Sequence, residues 1–302
     1  MVYDVTHHRQ ERLRAIARWT EVGVLERRSQ LPIEKAFADR VAERSTTFFK
    51  PVNTNDVDSV TFHRELSYLI DAFDSLPWRV DIAFDSTWKA FELETKEVSN
   101  GNATDRLKAT AAILDSEIVE RLCESFPVQS CEYLFARTVT DVVDETADNG
   151  LTNRMLYSTD STIRQLLDHL KGAYGDGEFD SRRKGALLLR RALRGDTLTL
   201  GGVGDFRLDT TSRARILISL FLYTTRNERF HGASFSPFLS SAASLRTYTH
   251  PFFAFLASYY LLLAVWLEKR PEALGVDQVG LLRSLEENLK TSNDVFGGHW
   301  EK

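Results

Sequence analysis

Apolar residues recur at intervals of three and four through most of the chain, and strict two-residue alternation is nearly absent. This spacing puts apolar side chains on one face of an α-helix, so the pattern predicts an all-α fold. The predicted helices cover residues 6–26, 34–49, 57–76, 79–97, 104–125, 128–147, 159–174, 181–194, 209–231, 250–269 and 276–291.

The helix predicted at 209–231 has recognisable signals at both ends. The segment DTTSRAR (209–215) begins with Asp and Thr and also contains Ser, residue types that cap helix N-termini well. Gly232 follows His231, where helix C-termini favour a residue that can adopt a positive φ. We therefore expect this helix to end at His231.

One short β-hairpin is predicted at DTLTLGGVGDFRLD (196–209), where two alternating runs flank a glycine-rich turn. A phosphate-binding loop is the alternative for GGVG. The segment lacks the Lys-Ser/Thr of a P-loop and does not lead from a core strand into a helix in the right pattern. Turn chemistry is therefore the favoured interpretation.

The most apolar segment, PFFAFLASYYLLLAVWLEK (251–269), has two interpretations. It is apolar for about 16 residues, slightly fewer than the roughly 18–20 that cross a bilayer. It also contains Ser258, Tyr259 and Tyr260. A buried core helix is favoured over a membrane span, and no membrane partner is expected.

Composition and charge limit the class of protein. Of the 302 residues, 43% are hydrophobic and 27% are charged, as in soluble globular proteins. The net charge of −5 argues against coating of nucleic acid by an overall basic protein but allows a local basic groove. The two cysteines, Cys123 and Cys131, do not indicate a disulfide framework, and the N-terminus lacks the apolar region of a signal peptide. A cytoplasmic location is therefore expected.

The segment TTRNERFHGASF (224–235) carries the candidate chemistry. With 3.6 residues per turn, one stripe of the helix is apolar at first and polar at its end: Ile216, Leu220, Tyr223, Asn227 and His231. Polar groups on a buried face must be satisfied or face a cavity. With Arg226, they would suit an anion such as phosphate. The alternative is that Asn227 and His231 make hydrogen bonds within a helix–helix contact and that Arg226 lies in solvent.

The Arg–His spacing alone is not specific, because Arg164 and His169 repeat it. A second group of candidates is a cationic segment within residues 181–195. It would either follow RNA phosphates or form a solvated helix face, and both interpretations stay open. Its members are Arg182, Arg183, Lys184, Arg190, Arg191 and Arg194.

The sequence RNERFHG resembles the Arg-polar-x3-His signature of HEPN domains, an all-helical family of nucleotide-binding proteins. Arg226, Asn227, His231 and Gly232 match the signature one by one, whereas Arg164 and His169 match only its spacing. DIAFDSTWKAFELE (81–94) is similar to an early helix of many members, with Glu92 as its acidic residue. Helix 250–269 fits the closing helix of the family.

This resemblance implies a HEPN-like helical bundle over residues 57–270, with 97–208 as a large insertion. Residues 1–56 would be an N-terminal helical extension, and 271–302 a C-terminal helix and tail. The alternative is a separate helical domain over 1–150 and a compact HEPN domain over 151–295.

The resemblance also implies a metal-independent endoribonuclease that needs no cofactor and works as a homodimer. His231 would act as base or acid, Arg226 would stabilise phosphoryl charge, and Asn227 would orient the imidazole or the phosphate. Glu92 and Glu228 are expected as supporting residues. Such an enzyme fits a toxin or antiviral defence effector with a cognate inhibitor or antitoxin. The alternative is a non-catalytic scaffold that binds nucleotides or proteins.

Overall fold

The computed structural model describes Gln10 and residues 32–43, 47–114, 116–140, 160–201, 204–232 and 244–301. Helices dominate these residues, and a two-stranded hairpin accompanies them, so the predicted all-α fold class with one short hairpin is confirmed. The α-helices are α1 Pro32–Glu43, α2 Val60–Asp74, α3 Val80–Val98, α4 Ala103–Ile113, α5 Ser116–Glu124, α6 Val128–Phe135, α7 Ser161–Leu170, α8 Phe179–Leu193, α9 Thr210–Arg215, α10 Tyr223–Phe230, α11 Leu245–Lys269 and α12 Gln278–Phe296.

Shorter elements connect or extend several of these helices. Three π-helical segments follow α6, α7 and α9, and two 3-10 turns follow α11 and α12. The π segments are Ala136–Thr140, Lys171–Gly175 and Ile216–Leu222, and the 3-10 turns are Pro271–Ala273 and Gly297–His299. Strands β1 Leu198–Leu200 and β2 Gly204–Phe206 pair antiparallel, with Leu198 opposite Phe206.

Several predicted helices have different limits in the structure. The helix predicted at 104–125 is interrupted at Leu114, whose backbone is extended at φ −68° and ψ 142°. The Leu-Asp-Ser sequence there carries residue types that favour helix starts. Helix α1 ends at Glu43 rather than at residue 49. The helix predicted at 6–26 lies, apart from Gln10, outside the described residues.

Helix α11 forms the centre of the fold. Every residue from Pro251 to Trp266 is buried, and the helix packs against α3, α4, α5, α6 and α12. A helix that is apolar on all sides is either buried in a protein or spans a membrane. It is the one helix of the described chain that could span a bilayer by length and composition, but 89% of its apolar window is buried. The structure therefore supports the interpretation of α11 as a buried core helix.

One hydrophobic core extends through the described parts of all three predicted segments. The ring of Phe37 lies 6.0 Å from that of Phe296, which lies 5.4 Å from Phe252. These three residues belong to the predicted extension, the C-terminal segment and the central segment, respectively. The domain limits at 56 and 270 stay a prediction.

A buried ionic cluster joins α2, α3 and the end of α11. Trp266 Nε1 donates to Glu65 Oε2 at 3.0 Å, and Arg270 Nη2 donates to Glu94 Oε2 at 2.6 Å. Both carboxyl groups have no exposed surface. Burial, followed by a hydrogen bond with Glu94 and its charge, raises the pKa of Glu65 to about 9, against the opposing effect of Arg270. Burial also raises the pKa of Glu94, so the buried pair holds a proton near neutral pH.

Replacing Glu65 with Gln is expected to remove part of the pH dependence of stability. The raised pKa of Glu65 gives stability that is complete below its unfolded pKa and is lost as pH rises towards about 9. Between pH 7 and 8 the free energy of unfolding of the wild type should fall by about 1 kcal/mol. That of Glu65→Gln should not fall in this way, because the amide stays neutral. Urea unfolding at both pH values measures this difference. The exposed Glu268→Gln is the control, and equal pH slopes for wild type and Glu65→Gln would contradict the expectation.

Candidate functional site

The helix that carries RNERFHG is not regular. Asp209 caps its start and accepts a hydrogen bond from Ser212 N at 2.6 Å, but residues Ile216–Leu222 are π-helical. A π segment closes i→i+5 hydrogen bonds and so takes more residues per turn. Side chains beyond it are therefore rotated away from the positions that a 3.6-residue period predicts.

This rotation corrects the predicted stripe. Its five members change from buried, through half-buried, to exposed along the helix: Ile216, Leu220, Tyr223, Asn227 and His231. The residues buried in the last turns are instead Thr224 and Thr225. The polar end of the stripe therefore turns outward to solvent, rather than into a buried helix contact.

Arg226 is held by neighbours on three sides. Its Nη1 donates to Asn227 Oδ1 at 3.0 Å, and its Nη2 lies 3.6 Å from Glu92 Oε2. The guanidinium carbon lies 4.5 Å from the centre of the Phe230 ring and 5.9 Å from that of Tyr223. With 24% of its side chain exposed, Arg226 is oriented but still reaches the surface.

The other half of this arrangement comes from one face of α3. Four residues spaced by four, three and four form this face: Asp81, Asp85, Trp88 and Glu92. Trp88 Nε1 donates to Glu92 Oε2 at 3.0 Å, and the Trp88 ring lies 6.0 Å from that of Tyr223. The predicted supporting residue Glu92 therefore joins Arg226, and the segments 81–94 and 226–232 are neighbours in space.

Arg229 fixes α10 to the same face and was not predicted from the sequence. It makes two hydrogen bonds of 2.6 Å to the carboxylate of Asp85 and one of 3.2 Å to Asp81 Oδ2. Arg79 also pairs with Asp81 through two bonds of 3.0 Å. Burial acts to raise the pKa of Asp81, but Arg79 and Arg229 outweigh it and hold that pKa below its ordinary value. The four-residue spacing of Asp81 and Asp85 indicates an acidic helix face but does not identify Arg229 as its partner.

His231 ends the helix with its side chain exposed. Its backbone N–H donates to Asn227 O at 2.9 Å, and the N–H of Gly232 donates to Arg229 O at 3.3 Å. Gly232 has a φ of 72°, which confirms the helix end expected there. Asn227 accepts from Arg226, so it orients the guanidinium rather than the imidazole in this structure.

The second predicted supporting residue, Glu228, belongs to a different environment. Its Oε1 lies 2.5 Å from Arg137 Nε, so the structure pairs it with the π segment Ala136–Thr140 rather than with Arg226. Nearby, His250 packs against the ring of Tyr133 at 4.5 Å. Burial, with a smaller effect of Arg229, lowers the pKa of His250 to about 3. The imidazole of His250 is therefore neutral at physiological pH.

Most of the predicted RNA-binding cations are used within the chain. Four make ion pairs with nearby carboxylates, and a fifth, Arg182, donates from Nε to Gly177 O at 2.8 Å. Lys184 is exposed and has no ion pair among the described residues. The four paired residues are Arg183, Arg190, Arg191 and Arg194. This geometry favours a structural role for most of the segment, and RNA binding stays a prediction.

The repeated Arg–His spacing lies on α7, where Arg164 is exposed and His169 is half-buried. Both line a surface cavity of 620 Å³ together with Ser161, Gln165 and Asp168. The pair has neither the adjacent Asn nor the exposed helix end of the 226–231 set, so it offers an internal control. Within the described residues, no three His, Cys, Asp or Glu side chains converge as metal ligands would.

The chain matches no protein-family model, no curated protein and no solved structure. The HEPN resemblance and the homodimer that it implies therefore stay predictions. The geometry around Arg226 and His231 is the remaining basis for a function.

Proposed function

We propose that the chain is a metal-independent endoribonuclease of the HEPN type. The observation that carries the proposal is the exposed imidazole of His231 at the end of the helix on which neighbours hold Arg226 in place. An exposed imidazole can exchange protons with a substrate near neutral pH. An oriented guanidinium can stabilise a phosphate whose charge is increasing. These two groups suit attack on a phosphodiester.

In the proposed reaction His231 takes the proton of a ribose 2′-OH, and the 2′-oxygen bonds to the adjacent phosphorus. The bond from phosphorus to the 5′-oxygen of the next nucleotide breaks. The products are a 2′,3′-cyclic phosphate and a 5′-hydroxyl, whose proton comes from a second imidazolium. His231 of the partner subunit in a homodimer is the proposed donor, because the HEPN resemblance implies that two Arg-polar-His sets meet in one cleft.

Arg226 is proposed to bind the non-bridging phosphate oxygens. Its ion pair with Glu92, at 3.6 Å, is longer than a hydrogen bond, so Nη2 can turn towards a ligand. The bond from Nη1 to Asn227 limits the directions that the guanidinium can adopt. Asn227 and Glu92 therefore act as positioning residues for Arg226.

In a cell, such an enzyme would act in the cytoplasm as a toxin or defence effector, and a cognate inhibitor protein would restrain it. The buried central helix is consistent with a soluble chain.

Cleavage of RNA in EDTA tests the proposal. The chain should cut labelled single-stranded RNA into fragments that end in 2′,3′-cyclic phosphate. It should leave the same sequence with 2′-O-methyl groups intact, since that substrate lacks the attacking hydroxyl. A His231→Ala preparation made in parallel controls for contaminating ribonuclease. Failure to cut any RNA offered, or cleavage of the 2′-O-methyl substrate, would overturn it.

The second candidate is a non-catalytic scaffold that binds nucleotides or proteins. It is favoured by the internal pairing of the 182–194 cations, which leaves few free positive charges for a long RNA. Binding of a mononucleotide without cleavage of any RNA would select this candidate.

A further inference from the structure

Phe230 lies against the proposed catalytic residue Arg226, and 48% of its surface is exposed. It is the last residue of α10 and directly precedes His231. Large aromatic side chains are usually more buried than this, and among the described residues only one phenylalanine is more exposed, Phe179 at 70%. The role of Phe230 in packing is therefore small.

The ring is the outer end of a series of neighbouring flat groups that begins in the core. The fully buried Trp88 lies 6.0 Å from Tyr223, Arg226 lies 5.9 Å from Tyr223, and Arg226 lies 4.5 Å from Phe230. The guanidinium therefore covers part of the Phe230 ring and limits its motion. The remainder of the ring is open to solvent, and His231 is the next residue along the chain.

We propose that Phe230 is a binding residue on which an unpaired base of single-stranded RNA stacks. An exposed aromatic ring next to a cation is the arrangement on which bases of single-stranded nucleic acids stack. A base in a duplex is already stacked on its neighbours and offers no free face. This inference rests on the proposed function, because the stacked base would bring its own phosphodiester to Arg226 and His231.

Base stacking by Phe230 can be distinguished from a purely structural role of its ring in supporting Arg226. If the ring only supported Arg226, its loss would affect single-stranded and duplex nucleic acids alike, through the guanidinium. If the ring stacks on a base, its loss should affect single strands selectively, and any flat aromatic ring should replace it. Phe230→Trp and Phe230→Leu separate these cases, because Leu keeps the apolar contact without a flat face.

The experiment measures binding of a fluorescein-labelled 2′-O-methyl octanucleotide by anisotropy, as a single strand and as a duplex with its complement. This probe cannot be cut by 2′-OH attack, so binding is read independently of cleavage. Phe230→Ala and Phe230→Leu should weaken single-strand binding by at least about five-fold. Phe230→Trp should restore it, and duplex binding should be unchanged. Phe179→Ala, at the other exposed phenylalanine, should have no effect, and thermal unfolding confirms that each variant is folded.

The inference would be overturned if the wild type did not bind the single strand, if Phe179→Ala lost as much binding as Phe230→Ala, or if single-strand and duplex binding fell equally. Binding of a mononucleotide but not of the octanucleotide would also overturn it. If Phe230 variants lose single-strand binding while the wild type cuts no RNA, only the ribonuclease proposal fails. If RNA is cut but binding does not depend on Phe230, only the stacking inference fails.

Discussion

Replacing His231 with Ala is expected to lower the rate of RNA cleavage by about 10²–10⁴-fold, the usual contribution of a general acid or base. The side chain is exposed at the end of α10 and has no side-chain hydrogen bond or ion pair among the described residues. The substitution should therefore leave the fold intact. A large loss of rate with little change in unfolding temperature would show that the imidazole takes part in the chemistry.

His169→Ala is the matched control for this prediction. His169 follows Arg164 at the same spacing and is half-buried at a surface cavity, but it lacks the neighbouring Asn and the helix end. Its replacement should leave the cleavage rate within about two-fold of the wild type, since surface changes away from a site have small effects. Equal rates for wild type and His231→Ala would reject the proposed role of His231. Equal losses of cleavage rate in His231→Ala and His169→Ala would show that His231 has no role in cleavage beyond that of His169.

The helices could be predicted because the signals for them are local. Asp209 marks the start of α9 and Gly232 marks the end of α10 through their own side-chain and backbone properties. The π segment could not be predicted in the same way. Its sequence, ILISLFL, is buried at every position. Its single polar residue, Ser219, is buried like the others, so no alternation of polar and apolar positions reveals the number of residues per turn.

The site was predictable in part for a similar reason. The positions of Arg226, Asn227 and His231 follow from one short stretch of sequence, whereas their partners lie far away along the chain. Arg229 and Asp85 are 144 residues apart, and no local pattern records such a pair. The cations of 182–194 were also undecided, because Glu301, which pairs with two of them, lies more than 100 residues away.

The second large effect is expected at Arg229, whose replacement by Met should lower the free energy of unfolding by about 3 kcal/mol. Removing one partner of a buried ion pair leaves its counter-charge uncompensated. Arg229 is 13% exposed, Asp81 is 1% exposed and Asp85 is 23% exposed. Met keeps the apolar stem of the side chain, so the change mainly removes the guanidinium. Urea unfolding measures the loss, and the exposed Arg164→Met, which has no ion pair among the described residues, should stay within about 0.5 kcal/mol of the wild type.

Two further comparisons separate the charge effect from a simple loss of packing. In the double variant Arg229→Met, Asp85→Asn, the uncompensated carboxylate is gone, so part of the lost stability should return.

The pKa of Asp81 is held low in the folded state, against the effect of burial, by Arg79 and Arg229. The stability that this gives is present above the unfolded pKa, about 3.9, and is lost as pH falls through the folded value. The difference between wild type and Arg229→Met should therefore narrow on acidification below about pH 4. A difference that is independent of pH and is not reduced by Asp85→Asn would mean that packing, rather than the ion pairs, fixes α10 against α3. Because Arg226 lies on the same helix, loosening this contact should also reduce RNA cleavage in folded Arg229→Met.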